Sequence, residues 1–227
     1  MTSKTGKWSH GMRIAIIGKG NVGSAIAYGL KGKRHSVTLG VRNPQAAATQ
    51  ELAVAAGART ASPQDAAAAA DIVILALPWA AAETAVKALG DLSGKIVIDC
   101  TNPLGMVDGS LGLTVGHSNS GGEIVQGWLP SSHVVKTLNQ VGAEVMADKS
   151  GLPLRPVMFM AGNDDIAKTQ VAALLTDLGF EAFDAGDITR ARILEPYALV
   201  WINQALLRGK GRNWAFAAVS RKENQDG

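Results

Sequence analysis

Arg13-Ile14-Ala15-Ile16-Ile17-Gly18-Lys19-Gly20-Asn21-Val22-Gly23-Ser24-Ala25-Ile26-Ala27 reads as an apolar strand, a glycine-rich turn and the start of a helix made of small residues. A G-x-G-x-x-G pattern alone is weak evidence. Set between a strand and a helix, it fits a cradle for a dinucleotide pyrophosphate. Gly18 suits the tight turn, Gly20 the close approach of backbone to phosphate, and Gly23 the packing of helix on strand. Lys19, Asn21 and Val22 complete the turn, whose helix amides would face the anion. The competing reading is a glycine turn with a structural role alone.

Working outward, residues 22–30 form the first helix, closed by Lys31-Gly32-Lys33, and residues 36–41 the second strand. In folds of this kind an acid about 20 residues past the glycine turn binds the ribose 2′-hydroxyl of NAD. This chain has Gly40-Val41-Arg42-Asn43 there instead. A guanidinium at that place suits a 2′-phosphate, which it can bind in a charge-assisted pair, so NADP is expected rather than NAD. Otherwise Arg42 is a surface charge ahead of the helix that Pro44 begins.

The pattern then repeats. Residues 44–56 read as a helix, 58–61 as a short strand, and Ser62-Pro63 as the N-cap and first residue of another helix. Asp71-Ile72-Val73-Ile74-Leu75-Ala76-Leu77 is continuously apolar after its first residue, as expected of a parallel strand covered on both faces. It leaves the sheet at Pro78-Trp79. Trp79 either faces the crevice at the carboxyl ends of the strands or covers core.

Residues 95–100 are the next strand, running into Thr101-Asn102-Pro103. Residues 109–122, rich in Gly and Ser, read as a mobile loop ending in a helix cap, or as a lid over substrate; a helix at 124–128 follows. Strands at 133–139 and 156–161, a helix at 164–178, a short strand at 181–184 and a terminal helix at 188–207 complete the plan. The fold expected is α/β, a Rossmann-type doubly wound parallel sheet with a small C-terminal α/β extension. Residues 1–11 would be a flexible tail, 12–138 the NADP-binding domain, and 139–227 a smaller part completing the crevice.

Bulk properties narrow the function. The 227 residues are 47% hydrophobic and 18% charged with a net charge of +3, which describes a globular chain with a weak electrostatic footprint. Its basic clusters lack interleaved aromatics, so nucleic acid is not an expected partner. The apolar run after Asp71 contains Pro78 and is too short for a membrane span. The polar first eleven residues do not read as a signal peptide, and the single cysteine, Cys100, fits a reducing cytoplasm as a buried inert thiol. The four histidines show no metal-ligand spacing, and no serine sits in a nucleophile elbow.

Taken together, the glycine turn, Gly40-Val41-Arg42-Asn43, Leu77-Pro78-Trp79, Asp99-Cys100-Thr101-Asn102-Pro103-Leu104, Val134-Val135-Lys136-Thr137-Leu138-Asn139 and the later Asp184-Ala185-Gly186-Asp187 and Ala191-Arg192-Ile193-Leu194-Glu195-Pro196 resemble the NADPH-dependent reductases of coenzyme F-420, the deazaflavin. The resemblance implies hydride transfer between NADP(H) and the deazaflavin ring. It implies that residues 18–23 hold the pyrophosphate, Arg42 and Asn43 the 2′-phosphate end, and that Leu77, Pro78, Trp79, Asn102 and Pro103 flank the nicotinamide. Asn139, with Gln140, Val141 and Gly142, would line the acceptor side. It also implies a homodimer, with Trp201, Trp214 and Phe216 covering either a partner or this chain's own core.

Asn139 stands where archaeal members have histidine, and reductase domains of membrane ferric reductases, which also resemble the chain, carry Asn there. The acceptor is therefore open between coenzyme F-420 and a flavin such as FMN or FAD. Transfer between two heteroaromatic rings asks for alignment and exclusion of water, which agrees with a chain that offers no acid/base constellation and no catalytic residue. Two other readings are reduction of a small carbonyl or imine with His117 or Tyr197 as proton donor, and a non-catalytic NADP-binding sensor.

Overall fold

The computed structural model describes residues 11–221; the expected tail lies outside them except for Gly11. The elements follow in the order β1 (Arg13–Ile17), α1 (Asn21–Gly29), β2 (Ser36–Gly40), α2 (Ala47–Ala56), β3 (Arg59–Ala61), α3 (Pro63–Ala69), β4 (Ile72–Leu75), α4 (Trp79–Lys87) and β5 (Ile96–Asp99). A hairpin comes next, β6 (Leu104–Val107) and β7 (Ser110–Leu113). The remainder is α5 (Gly121–Trp128), β8 (His133–Lys136), α6 (Ala143–Ala147), β9 (Val157–Gly162), α7 (Asp165–Asp177), β10 (Glu181–Asp184) and α8 (Ala191–Ile202). A 3-10 turn at Ile188–Arg190 leads into α8 and a π-helical turn at Asn203–Leu207 follows it.

Eight strands form one sheet in the order β10-β9-β8-β5-β4-β1-β2-β3. β1 therefore lies between β4 and β2, where successive crossovers turn in opposite directions, and this switch opens a crevice at the carboxyl ends of the strands. The sheet is Rossmann-like and mostly parallel. Its last third departs from the uniform alternation: β9 pairs antiparallel with β8 through Val135 opposite Gly162 and Lys136 opposite Ala161, while β10 runs parallel to β9.

The apolar runs have a plain cause. Ile14, Ile16, Ile74, Ile98 and Val135 face one helical layer with Ile26, Leu174 and Phe180. Their neighbours Ala15, Ile17, Val73, Leu75, Val97 and Val134 face the other, with Ala66, Val86 and Val125. Both faces are covered, so the strands have no polar alternation to show.

Two local features differ from the sequence reading. Residues 109–122 are not a plain loop, because the segment begins inside the hairpin, whose turn residues Asp108 and Gly109 both have positive φ (49° and 77°), as a type I′ turn demands. Its other end is the cap anticipated, with Ser120 Oγ accepting from Glu123 N at 3.2 Å. Two helices, α4 and α6, went unforeseen; α4 starts directly at the strand exit with Pro78 as its N-cap residue, and α6 is five residues long. Trp201, Trp214 and Phe216 cover the chain's own core: Trp201 is buried, its ring stacks on Trp214 at 5.7 Å, and Trp214 meets Phe216 edge-on.

At the opposite edge of the sheet Arg13 ties β1 to β4. Its backbone N–H donates to Asp71 Oδ2 (2.9 Å) and its guanidinium to Oδ1 (2.6 Å). The hydrogen-bonded guanidinium holds the Asp71 carboxyl below its ordinary range. A depressed folded value stabilises the fold above the unfolded value of about 3.9, and that contribution is lost as pH falls through the folded value. Asp71→Asn is therefore expected to lower the urea midpoint at pH 7, with the deficit shrinking as acid titrates the folded carboxyl; a deficit that stays constant from pH 7 down to acid unfolding would contradict the pairing.

Candidate functional site

The crevice is built from the ends of five neighbouring strands. β1 ends in the glycine turn. Gly18 has φ of +108°, and a Cβ on it would lie 2.5 Å from the Ala76 carbonyl oxygen just past β4; a Cβ on Gly23 would lie 2.2 Å from the Gly18 carbonyl oxygen. These two glycines are required by the fold. Gly20 is different: its φ is −70° and a Cβ there would meet nothing within 4 Å. It is the N-cap of α1, no side chain caps that helix, and no acid lies in its first turn. The open space over Gly20, with uncapped amides behind it, suits a phosphate.

Lys19 and Asn21 are exposed beside this space and Val22 is half-buried; the Lys19 carbonyl accepts from Ser24 Oγ at 3.0 Å. β2 reaches the same edge, with Gly40 O accepting from Gly18 N at 3.2 Å. Arg42 and Asn43 follow, both exposed, and Arg42 forms no ion pair among the described residues. The residues present thus fit NADP: a glycine turn with open space over it, no acid at the end of β2, and there instead an exposed guanidinium without an ion pair among the described residues.

Beyond β4, Leu77 packs over the turn, its Cδ2 3.3 Å from where a Gly18 Cβ would sit. Pro78 is exposed and Trp79 half-buried. Trp79 stacks on Trp128 of α5 at 5.6 Å and packs on the core, so it covers core while standing at the crevice edge. Past β5, Pro103 is buried and Asn102 half-buried. Past β8, Leu138 is held at φ +57°, a costly conformation for a leucine, and Asn139 follows.

The two asparagines meet. Asn102 Nδ2 donates to the Asn139 carbonyl (2.9 Å), Asn139 Nδ2 donates to Asn102 Oδ1 (3.0 Å), and Gln140 Nε2 donates to Asn139 Oδ1 (2.9 Å). Gln140 also clamps Phe159, donating to its carbonyl and accepting from its N–H. The outcome is a stiff amide floor whose polar atoms are occupied with one another. Every predicted site residue therefore lies on one edge of the sheet, in the strand order β8, β5, β4, β1, β2.

Beneath that floor lies a feature that sequence reading missed. Lys136, Asp99 and Glu195 have essentially no exposure. Lys136 Nζ donates to Asp99 Oδ2 (3.0 Å), Glu195 Oε1 (2.9 Å) and the Thr101 carbonyl (2.5 Å). Asp99 Oδ1 accepts from Thr101 N, and Glu195 accepts from Gly121 N and Gly122 N, each at 3.0 Å. Burial acts to lower the Lys136 pKa, but the two carboxylates outweigh it and raise it. The signal was present in the sequence as single charges in apolar company, Ile98-Asp99-Cys100, Val135-Lys136-Thr137 and Leu194-Glu195-Pro196; such charges are buried only when paired.

Among the described residues, neither proton-donor candidate, His117 nor Tyr197, hydrogen-bonds to the amide floor. His133 begins β8, at the far edge of the sheet, 3.5 Å from Asp164. Tyr197 sits between Phe159 and Phe216, and burial pushes its hydroxyl up to about 12. His117 is exposed, with φ of +58°. Cys100 is buried, and burial pushes its thiol upward, with Asp99 adding to the effect. Among the described residues no helix is long and apolar enough to cross a membrane, and no group of three His, Cys, Asp or Glu could hold a metal.

Comparison with known proteins agrees with this geometry. The model of the family described as NADP oxidoreductase, coenzyme F420-dependent, matches residues 13–103. A solved structure from Arthrobacter sp. FB24, assigned as an F420-dependent NADP-reductase, is 35% identical with a TM-score of 0.82, and the match covers 92% of this chain and 100% of that one. A hypothetical protein from Sinorhizobium meliloti is 30% identical with a TM-score of 0.69, covering 78% and 86%. Metalloreductase STEAP3 of Rattus norvegicus is 25% identical over 187 residues, 82% of this chain. The chain spans 36% of that relative's length. The segment that the family model matches runs from the first residue of β1 through the glycine turn and Arg42 to Pro103, and the chain belongs to the family of coenzyme F420-dependent NADP oxidoreductases.

Proposed function

We propose that the crevice binds NADP(H) and aligns it for hydride transfer to or from a planar second cofactor, the deazaflavin coenzyme F420 or a flavin. The observation that carries this reading is the amide floor. Asn102, Asn139 and Gln140 satisfy one another and present no group poised to give or take a proton. A carbonyl or imine reductase needs such a group; ring-to-ring transfer does not.

With NADPH bound, its dihydronicotinamide supplies the hydride. The chain's own work is binding and placement: the α1 amides behind Gly20 hold the pyrophosphate, Arg42 pairs with the 2′-phosphate, and Trp79 and Pro103 exclude water from the crevice wall. Asn139 stays the residue on which the choice between deazaflavin and flavin turns.

Gly20→Ala is expected to leave the melting temperature nearly unchanged, since its Cβ meets nothing, while weakening NADPH binding by tenfold or more, roughly the effect of blocking one charge-assisted contact. Wild-type affinity in that variant would remove the glycine turn from the site. Arg42→Ala is expected to raise the KM for NADPH by about 10- to 100-fold with kcat and the KM for NADH little changed; a proportional rise for both cofactors would contradict the 2′-phosphate assignment.

Steady-state NADPH oxidation should be rapid with coenzyme F420, or with FMN or FAD, and negligible without an acceptor. Turnover of small ketones or imines but of none of these three would overturn the reading. Tight NADPH binding with no turnover at all would favour a sensor.

A further inference from the structure

Lys136, Asp99 and Glu195 hold an unbalanced charge. Asp99 Oδ1 and Oδ2 and Glu195 Oε1 and Oε2 each face an N–H donor, namely Thr101 N, Lys136 Nζ, Gly122 N and Gly121 N. All four oxygens face N–H donors, the surroundings of two carboxylates. Against them stands one ammonium, leaving a net charge of −1 that no solvent reaches. The N-terminus of α5, whose Gly121 and Gly122 amides bind Glu195, offsets about half a charge by its dipole. The neighbouring Glu123 and Arg192 form a neutral pair, with Oε1 to a guanidinium nitrogen at 2.5 Å.

The group also touches the crevice wall. A Cβ on Gly121 would lie 3.0 Å from Glu195 Oε1, 3.3 Å from Pro103 Cδ and 3.3 Å from Trp79 Cζ3. Thr101, whose carbonyl accepts from Lys136, precedes Asn102 of the amide floor. The buried charge thus sits directly behind the residues proposed to flank the nicotinamide.

We infer that the Lys136–Asp99–Glu195 network sets the redox preference of the site, holding the cationic ring of NADP+ more tightly than the neutral ring of NADPH. This rests on the NADP(H) reading above. The two forms carry the same phosphates and adenosine and differ by one positive charge at the ring. A fixed negative charge behind a water-poor wall therefore acts on one form and barely on the other, and a site shifts an equilibrium only by such a difference in affinity. Lys136 also limits the effect: without its ammonium the net charge would be −2.

Calorimetric dissociation constants for NADP+ and NADPH at one ionic strength test this without turnover. The wild-type protein should bind NADP+ about tenfold more tightly than NADPH. In Asp99→Asn, which brings the net charge to zero, that ratio should fall by about fivefold or more, with most of the change in the NADP+ constant. The wild-type ratio stands on its own if the variant does not fold. Wild-type affinity for NADPH equal to or above that for NADP+ overturns this inference alone, as does an unchanged ratio in a folded Asp99→Asn. Failure of both forms to bind overturns the cofactor reading, and this inference with it.

Discussion

A single ammonium, that of Lys136, joins the end of β5, the end of β8, the first turn of α5 and the first half of α8 in a fully buried place. Such a group costs much free energy to bury and regains it only when every donor and acceptor is matched. Here they are matched by the two glycine amides that open α5 and by the backbone of Thr101. The arrangement forbids side chains on the α5 turn: a Cβ on Gly122 would stand 2.9 Å from the Ala191 Cβ. The C-terminal helix is consequently pinned to the first turn of α5 and, through Lys136, to the ends of β5 and β8.

From that anchor the far wall follows. α8 carries Trp201 to within contact of Gly142, and Trp201 with Ile202 and Ala205 packs on Leu104 and Leu111 of the hairpin. The aromatic series Phe183, Phe159, Tyr197, Phe216, Trp214 and Trp201 runs ring to ring beside it. Phe159 is also the residue that Gln140 clamps. Amide floor, aromatic series and buried charge thus form one connected body, well suited to hold a flat molecule still and poorly suited to move a proton.

How much of this was legible in the sequence depended on the range of the interaction concerned. The glycine turn declares itself because Gly18, Gly20 and Gly23 act within six residues. The place of Arg42 past β2 could be read because its distance from that turn is set by one helix and one strand. The hairpin was hidden because Asp108-Gly109 lies among other glycines and serines, and its strands alternate weakly. The antiparallel entry of β9 was hidden because pairing direction depends on the path of the chain after β8, and five-residue α6 gives too little periodicity to trace that path. The Lys136 network joins residues 37 and 59 positions apart; each is visible as an odd charge, and nothing local says that the three belong together.

On the function proposed above, the carboxyl edge between β1 and β4 holds NADP(H) in one orientation. A crystal structure of the protein with NADP+ tests it most directly. The density expected is that of pyrophosphate over Gly20 against the first amides of α1, the 2′-phosphate within hydrogen-bond distance of Arg42, and the nicotinamide between Trp79, Pro103 and the Asn102–Asn139 floor. A dinucleotide bound elsewhere, or one whose ribose phosphate lies away from Arg42, would contradict it.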